Sequence, residues 1–399
     1  MISNNDISKF FDHYPFPAVI NVEEYIGNGI REPFDFVDDA NIIFPEDTKR
    51  KPKKSLIVGC GYNEALYHAL RNPKISYYAL DISNNAVEHN KKVIKEHNIE
   101  NLEVVNQDLI EAKNENYDLI YAKNVVSFVN SPLEALKHLS GCLSDDGALI
   151  LSVPNAYHFS AVNFIRPLLR NLEFDLYDLE SVKDAFELIK GLGHNHPSAM
   201  MAFNKEEFIP LVNFISLFLT PKFNIFTIQD LFDLYAKSGL FFQNWYDNVL
   251  YYPSTSIRHN QDKHPGFYKK INSLDRVLMW DSVGRIFGSR RNHQYHTMCL
   301  RKKSDYEFFP YNLFNNAKTY VSLSPSQKIR TPEGVDSVFA IRANIRMKLS
   351  PEHKKIIDLL DKPQLVSSLL ESKKISSTND QRSDALLDLF EASVVRFHL

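Results

Sequence analysis

The residues best placed to do chemistry are Gly59, Gly61 and Asp81. An apolar run, Leu56-Ile57-Val58, breaks into Gly59-Cys60-Gly61. Two glycines at the end of a buried strand bring bare backbone close to a ligand, because glycine accepts positive φ and has no Cβ in the way. Asp81 ends a second apolar run, Tyr77-Tyr78-Ala79-Leu80, twenty positions after Gly61. An acid at the tip of the neighbouring strand can accept hydrogen bonds from both hydroxyls of a ribose. The chemistry indicated is the holding of a nucleotide-type cofactor, and a glycine turn without a ligand is the plainer alternative.

These residues need a parallel sheet to hold them, and the chain supplies alternating signals for one. Strands are expected near 55–59, 76–82, 102–106, 117–121 and 147–153, with helices near 63–71, 84–97 and 131–143. Short connections between strand and helix patterns are the mark of an α/β fold. The helix at 131–143 is well punctuated. Ser131 can cap it, Pro132 suits its first position, and Glu134 closes a capping box. Asp145-Asp146-Gly147 is expected to turn the chain into the fifth strand.

In that order the motifs resemble the class I S-adenosylmethionine-dependent methyltransferases, from about residue 53 to 155 and more loosely to 302. The resemblance implies a Rossmann-like seven-stranded sheet with its last strand antiparallel, and S-adenosylmethionine as cofactor. It places Gly59, Cys60 and Gly61 in the cofactor loop, Asp81 and Ile82 at the ribose, and Asp108 with Leu109 at the adenine. Lys123 and Asn124, at the end of the fourth strand, fall below the methionine moiety. Two positions depart from the family pattern. The acid usual two residues before the first glycine is Ile57, so the cofactor's ammonium must be met elsewhere, and the third glycine is Asn63. A dinucleotide-binding dehydrogenase competes for the same residues. Its third glycine would fall at Glu64, where a carboxylate would repel a pyrophosphate at the helix N-terminus.

Composition narrows the function classes. A chain of 399 residues, 44% hydrophobic and 24% charged, is long enough for two domains, or for one with large insertions. The net charge of −3 gives no electrostatic reason to expect a nucleic-acid partner. Three cysteines, Cys60, Cys142 and Cys299, fit a reducing compartment. Neither a secretory signal nor an uncharged run near the ~20 residues of a bilayer span is visible, so a cytoplasmic protein without membrane contact is expected.

Outside the sheet, residues 1–50 contain Phe10-Phe11-Asp12-His13-Tyr14-Pro15-Phe16-Pro17. The stretch resembles a Tyr-Pro-aromatic-Pro element of one methyltransferase subgroup, which implies a lid over the cofactor with Tyr14 touching it. An aromatic latch on the outside of the sheet is the alternative. The domain at 51–302 is expected to carry insertions at 156–225 and 253–293. Between them, a helix starts at Thr227 and stops at Gly239, and strands Phe241–Tyr252 and Tyr295–Arg301 form the final antiparallel pair. Phe159, Phe164, Phe214, Phe218, Phe223 and Phe226 are candidates to line an acceptor cavity, or to form the insertion's own core. His194 and His196 are too few to hold a metal, and His293 and His296 are treated alike. Residues 303–345 read as a linker with a short strand from Val338 to Ile345. Residues 346–399 read as three short amphipathic helices and a terminal strand, resembling a small winged-helix-like module.

Methyl transfer from a sulfonium is a direct displacement that depends mostly on alignment. If the acceptor must lose a proton, His158 and Tyr157 just past the fifth strand, then Tyr14, are the candidate catalytic bases. An aromatic wall can favour the sulfonium through cation–π attraction. Lys123 is expected to turn outward, away from that cation. The acceptor is expected to be an O or N nucleophile of a small molecule. Relatives with an extra C-terminal domain imply a protein side chain, lysine for instance, as the alternative, and a non-catalytic cofactor-binding subunit is a third reading. Oligomeric state is not legible.

Overall fold

The computed structural model describes residues 4–15, 19–22, 34–193, 195–201, 203–204, 207–256, 265–288, 293–324, 337–340, 345–372 and 377–399. Phe16, Pro17, His194 and the prolines at 325 and 332 lie outside them. Five strands run in parallel: β1 (Lys54–Val58), β2 (Ser76–Asp81), β3 (Leu102–Asn106), β4 (Tyr117–Lys123) and β5 (Leu143–Pro154). Two more, β6 (Phe241–Trp245) and β7 (Tyr295–Arg301), complete a seven-stranded sheet in the order β3-β2-β1-β4-β5-β7-β6. β7 is antiparallel to both of its neighbours. This is the Rossmann-like sheet that the motif order implied.

Alternation along the strands sends side chains to two cores. Leu56 and Val58 face a core shared with helices at Pro132–Cys142, Ile228–Ser238 and Arg276–Phe287. Ile57 faces the opposite core, with helices at Phe36–Ile43, Glu64–Arg71 and Asn84–His97. Strands buried on both faces read as continuous apolar runs, which is why the sequence showed them. Most caps form as expected. Ser131 accepts from the Glu134 amide, but the Glu134 carboxylate accepts from Lys137 at 3.0 Å and does not return to Ser131, so that capping box is only half made. Thr227 and Asp230 make a full capping box, and Gly239 ends its helix at φ 71°.

Three boundaries differ from expectation. Residues 145–147 do not interrupt the fifth strand. It runs from Leu143 through a register shift, with Tyr117 opposite Leu143 but Leu119 opposite Ala148. A bulge absorbs the turn residues, and Gly147 is needed there because a Cβ would lie 2.7 Å from the Tyr117 carbonyl oxygen. β6 stops at Trp245 instead of reaching Tyr252, and Asn248–Leu250 forms a 3-10 turn. In the stretch read as a linker, Tyr320–Leu323 forms a strand (β8) that pairs antiparallel with the terminal strand Val395–His398. The single strand expected at Val338–Ile345 is instead a hairpin of Ser337–Ala340 with Ile345–Lys348.

The C-terminal residues therefore fold with part of that stretch around a core of their own. Helices Pro351–Asp358, Val366–Leu370 and Asn379–Glu391 pack on it through Ile356, Leu369, Leu386 and Leu389. The unit docks on the large sheet's side. Asn248 Nδ2 donates to the Phe390 carbonyl at 3.1 Å, the Val249 amide donates to Ser393 Oγ at 3.2 Å, and the Leu399 amide donates to the Pro45 carbonyl at 2.8 Å. Ser254 donates to Glu391 across the same seam.

Burial pushes the Glu391 carboxyl up to about 7, with Asp388 adding to the rise and the Ser254 bond opposing it. A carboxyl raised in the folded chain binds its proton more tightly folded than unfolded. Its stabilisation is complete below the ordinary glutamate range and is lost as pH rises through about 7. Glu391→Gln should therefore flatten a fall in stability of roughly 2 kcal/mol between about pH 5 and 8. Urea unfolding at several pH values measures this, and parallel pH slopes for the two proteins would contradict it. Among the described residues, no helix is long and apolar enough to cross a membrane.

Candidate functional site

A cavity of about 480 Å3 opens at the carboxyl ends of the parallel strands. Open α/β sheets place ligands there because the strand order reverses and leaves a crevice. Gly59 and Gly61 both have positive φ, 69° and 52°. The Gly59 and Cys60 amides donate to the Leu80 carbonyl at 2.8 and 3.2 Å, which ties the loop to β2. An added Cβ on Gly61 would meet nothing within 4 Å, so its bare backbone borders open space. Asp81 is buried at the loop's side. Its Oδ2 accepts from the Gly61 amide and its Oδ1 from the Ser83 amide, both at 2.8 Å. Burial raises its carboxyl above the usual aspartate range, against the pull of those amides. Each carboxylate oxygen retains acceptor capacity beyond one amide.

Asp108 caps the short turn Leu109–Glu111, accepting from the Ile110 amide at 3.0 Å. Lys123 and Asn124 close the floor at the end of β4, with Asn124 in the left-handed region at φ 61°. Gly59, Cys60, Gly61, Asp81, Ile82, Asp108, Leu109, Lys123 and Asn124, the nine residues named from sequence for the cofactor, all line this one cavity. Lys123 does not turn outward. Its Nζ lies 3.1 Å from Glu64 Oε1, and both side chains are nearly buried. Burial alone would raise the Glu64 carboxyl, but Lys123 and His68 together hold it below its ordinary range.

Helix α1 (Asn4–His13) roofs the cavity. Ile7 and Phe11 line it, Ser8 Oγ donates to the Ile82 carbonyl at 2.7 Å, and Asp12 Oδ1 accepts from Ser83 Oγ at 2.7 Å and the Asn85 amide at 3.0 Å. The pre-sheet segment thus sits over the site, but Tyr14 is not its contact residue. The Tyr14 hydroxyl donates to the Leu176 carbonyl, and its ring packs with Phe10 and His13. Asp12→Ala removes two side-chain contacts to the site's edge. For the nucleoside that the sequence resemblance implies, it should weaken binding about fivefold, near 1 kcal/mol, with little change in Tm, as a calorimetric titration would show.

Away from the loop the wall becomes aromatic and apolar. Phe128 packs edge-on to Phe11 at 5.0 Å and tilts toward Phe223 at 6.2 Å, with Val129, Leu217, Pro154 and Tyr295 beside them. Polar groups on this side are the Tyr295 phenol, Ser216 and the Ser152–Thr297 hydroxyl pair, 3.0 Å apart. Buried Arg166 holds the turn carrying Ser216 and Leu217, donating to the Leu217 carbonyl at 2.9 Å and to Thr220, and burial lowers it to about 9. Of the six phenylalanines considered from sequence, Phe223 alone lines the cavity. Phe159, Phe214, Phe218 and Phe226 are in the cores, and Phe164 is 75% exposed.

Tyr157 and His158 do not line the cavity. The Tyr157 hydroxyl donates to Asp281 and accepts from the Ile228 amide at 3.1 Å, fastening three helices together. His158 is buried edge-on against Phe159 at 4.7 Å. His296 is also internal, bonded through Nδ1 to the Tyr251 hydroxyl at 3.0 Å and lowered by burial to about 3. His196 accepts from the Ser198 amide at 3.2 Å, and the described residues contain no cluster of three or more metal-ligating side chains.

Residues 56–149 match the family model of a methyltransferase domain. The matched stretch runs from within β1 to within β5 and contains the loop, Asp81, Asp108 and Lys123. The fold extends further. PKMT2 from Rickettsia typhi has a TM-score of 0.58 at 14% identity, covering 96% of this chain and 77% of that one. Its complex with AdoHcy scores 0.57 at 16% identity, covering 92% and 77%. An O-methyltransferase from a trans-AT PKS multienzyme of Brevibacillus brevis, in complex with S-adenosyl-L-homocysteine, is more distant. It scores 0.37 at 15% identity and covers 72% and 82%. The first two share this chain's fold, including the region after β7.

Glu64, Ile7, Phe11 and Phe128 were missed as lining residues by sequence reasoning. Glu64 stood in the loop's own motif as the acid that argued against phosphate. It could have been found by asking what else a carboxylate there attracts.

Proposed function

We propose that the chain is an S-adenosylmethionine-dependent methyltransferase that methylates an O or N nucleophile of a small molecule. The observation that carries this reading is one cavity with two ends. The glycine loop, Asp81, Asp108, Glu64, Lys123 and Asn124 lie at one end, and the aromatic wall at the other. Among the described residues, the four charged ones that line the cavity, Glu64, Asp81, Asp108 and Lys123, all belong to the first end by their strand positions.

The fit to the cofactor rests on the cavity itself. Gly61 leaves open space for a nucleoside, and Asn124 Oδ1 is buried and makes no hydrogen bond with a described residue, so an acceptor there awaits a donor. A carboxylate at the first helical position, Glu64, opposes a pyrophosphate but not a sulfonium. When bound, S-adenosylmethionine supplies an electrophilic methyl group and leaves as a neutral thioether.

The chain's own residues supply alignment and a dry chamber. Phe11, Phe128 and Phe223 exclude water and present ring faces and edges to a cation. Among the described residues, no histidine lines the chamber. That favours nitrogen over oxygen, because an apolar wall lowers the basicity of an amine and leaves its lone pair available without a protein base. The volume left beside a nucleoside suits a small acceptor or the tip of a side chain.

Labelled S-adenosylmethionine incubated with the protein and with separated small-molecule and protein fractions of an extract tests the reading. Label is expected in the small-molecule fraction, on nitrogen. Label in the protein fraction would replace the acceptor by a protein side chain. Binding without transfer to either fraction would leave a cofactor-binding subunit in place of an enzyme.

A further inference from the structure

The cavity holds one pair of opposite charges that local structure does not require. Glu64 opens a helix (Glu64–Arg71) and Lys123 closes β4, so two separate elements bring them together. Their 3.1 Å contact leaves the side chains only 12% and 14% exposed. A buried ion pair contributes little net stability, because the cost of removing two charges from water offsets their attraction. Its position beneath the glycine loop calls for another account.

Three facts point to a ligand. Both residues line the cavity between Gly59–Gly61 and Asn124. Asn124 Oδ1, the neighbouring acceptor, is buried without a hydrogen bond to any described residue. Ile57, where the family pattern would place an acid for the cofactor's ammonium, is wholly buried in the opposite core and cannot reach the site.

The amino-acid end of S-adenosylmethionine carries an ammonium and a carboxylate on one carbon. We propose that Glu64 and Lys123 are its seat, exchanging their mutual ion pair for contacts with those two charges: Glu64 and Asn124 Oδ1 receive the ammonium, and Lys123 the carboxylate. This rests on the cofactor reading above and adds a specificity to it. The pair keeps each charge compensated while the site is empty, so ligand binding trades one set of charge contacts for another and buries no new unpaired charge. A ligand without the amino-acid end leaves the pair closed and gains nothing from it.

The test is calorimetric titration of S-adenosylhomocysteine and of 5′-methylthioadenosine, which lacks the amino-acid end, into the full chain, Glu64→Gln and Lys123→Met. Each variant is expected to bind S-adenosylhomocysteine about tenfold to a hundredfold more weakly, the size of a lost charge-assisted contact, and methylthioadenosine within about twofold of the unchanged protein. Methylthioadenosine thus reports that the variant cavity is intact. Unchanged affinity for S-adenosylhomocysteine in the variants, or an equal loss of both ligands, would overturn the seat while leaving the cofactor reading standing. Failure of the unchanged protein to bind either ligand would overturn both.

Discussion

Asp81→Asn is expected to weaken S-adenosylhomocysteine binding by about a hundredfold, roughly 3 kcal/mol, which is the net worth of two hydroxyl contacts to a buried carboxylate. The substitution keeps the shape of the side chain but turns one acceptor oxygen into an NH2 group facing the Gly61 or Ser83 amide, each of which now donates to the carboxylate at 2.8 Å. The loop therefore loses part of its anchor as well as its ribose contact. pH supplies an independent signature. Burial raises the Asp81 carboxyl, and only the ionised form accepts from both hydroxyls. Affinity should hold steady at neutral pH and fall on acidification, starting at a higher pH than an exposed aspartate would give. Titration calorimetry at descending pH measures this, and Asp81→Asn should lack that fall. Equal affinity in the two proteins would remove Asp81 from the site.

The two loop glycines should fail differently when replaced by alanine. At Gly59 the new Cβ would lie 2.9 Å from Val125 Cβ and 3.0 Å from its Cγ2, with φ at 69°. Overpacking against a short turn and a left-handed backbone add up to about 2–4 kcal/mol, so Gly59→Ala should lower Tm markedly. At Gly61 there is no steric partner within 4 Å, and only the backbone cost of about 1–2 kcal/mol remains. On the proposed reading its Cβ enters space the nucleoside needs, so Gly61→Ala should fold, lose a few degrees in Tm, and bind S-adenosylhomocysteine at least tenfold more weakly. Thermal unfolding and calorimetry on the same two variants separate the effects. The reverse ranking, with Gly61→Ala the less stable or Gly59→Ala the poorer binder at matched folding, would place the ligand elsewhere.

The parts legible in the sequence are those set by local pattern. β1 to β4 come within two residues of their expected ends because β1, β2 and β4 are mostly apolar runs stopped by a turn or an acid and β3 alternates apolar and polar positions. The caps at Ser131, Thr227 and Gly239 are short-range chemistry and were readable as such. The nine lining residues fall at strand tips, where a parallel sheet gathers residues far apart in the chain. Orientation was not legible. Lys123 turns inward because Glu64, fifty-nine positions earlier, is there to receive it. Tyr14 and Tyr157 are tyrosines near the site by number, but Leu176 and Asp281, each more than a hundred residues away, draw their hydroxyls elsewhere. Phe11, not Tyr14, reaches the cavity because the residues before Pro15 form a helix, and a helix sets which aromatic faces down. The linker boundary failed for a similar reason, since Tyr320–Leu323 becomes a strand by pairing with residues 395–398.

The central claim is that the loop at 59–61 and the carboxylates of Asp81 and Asp108 hold an adenosyl group with its methyl end toward Phe128 and Phe223. A crystal structure of the chain with S-adenosylhomocysteine tests it most directly. The ribose hydroxyls should lie within hydrogen-bonding reach of Asp81, the adenine amine beside Asp108, and the sulfur between Asn124 and the aromatic wall. A nucleoside bound away from Asp81, or one oriented with its sulfur toward Asp108, would contradict the account.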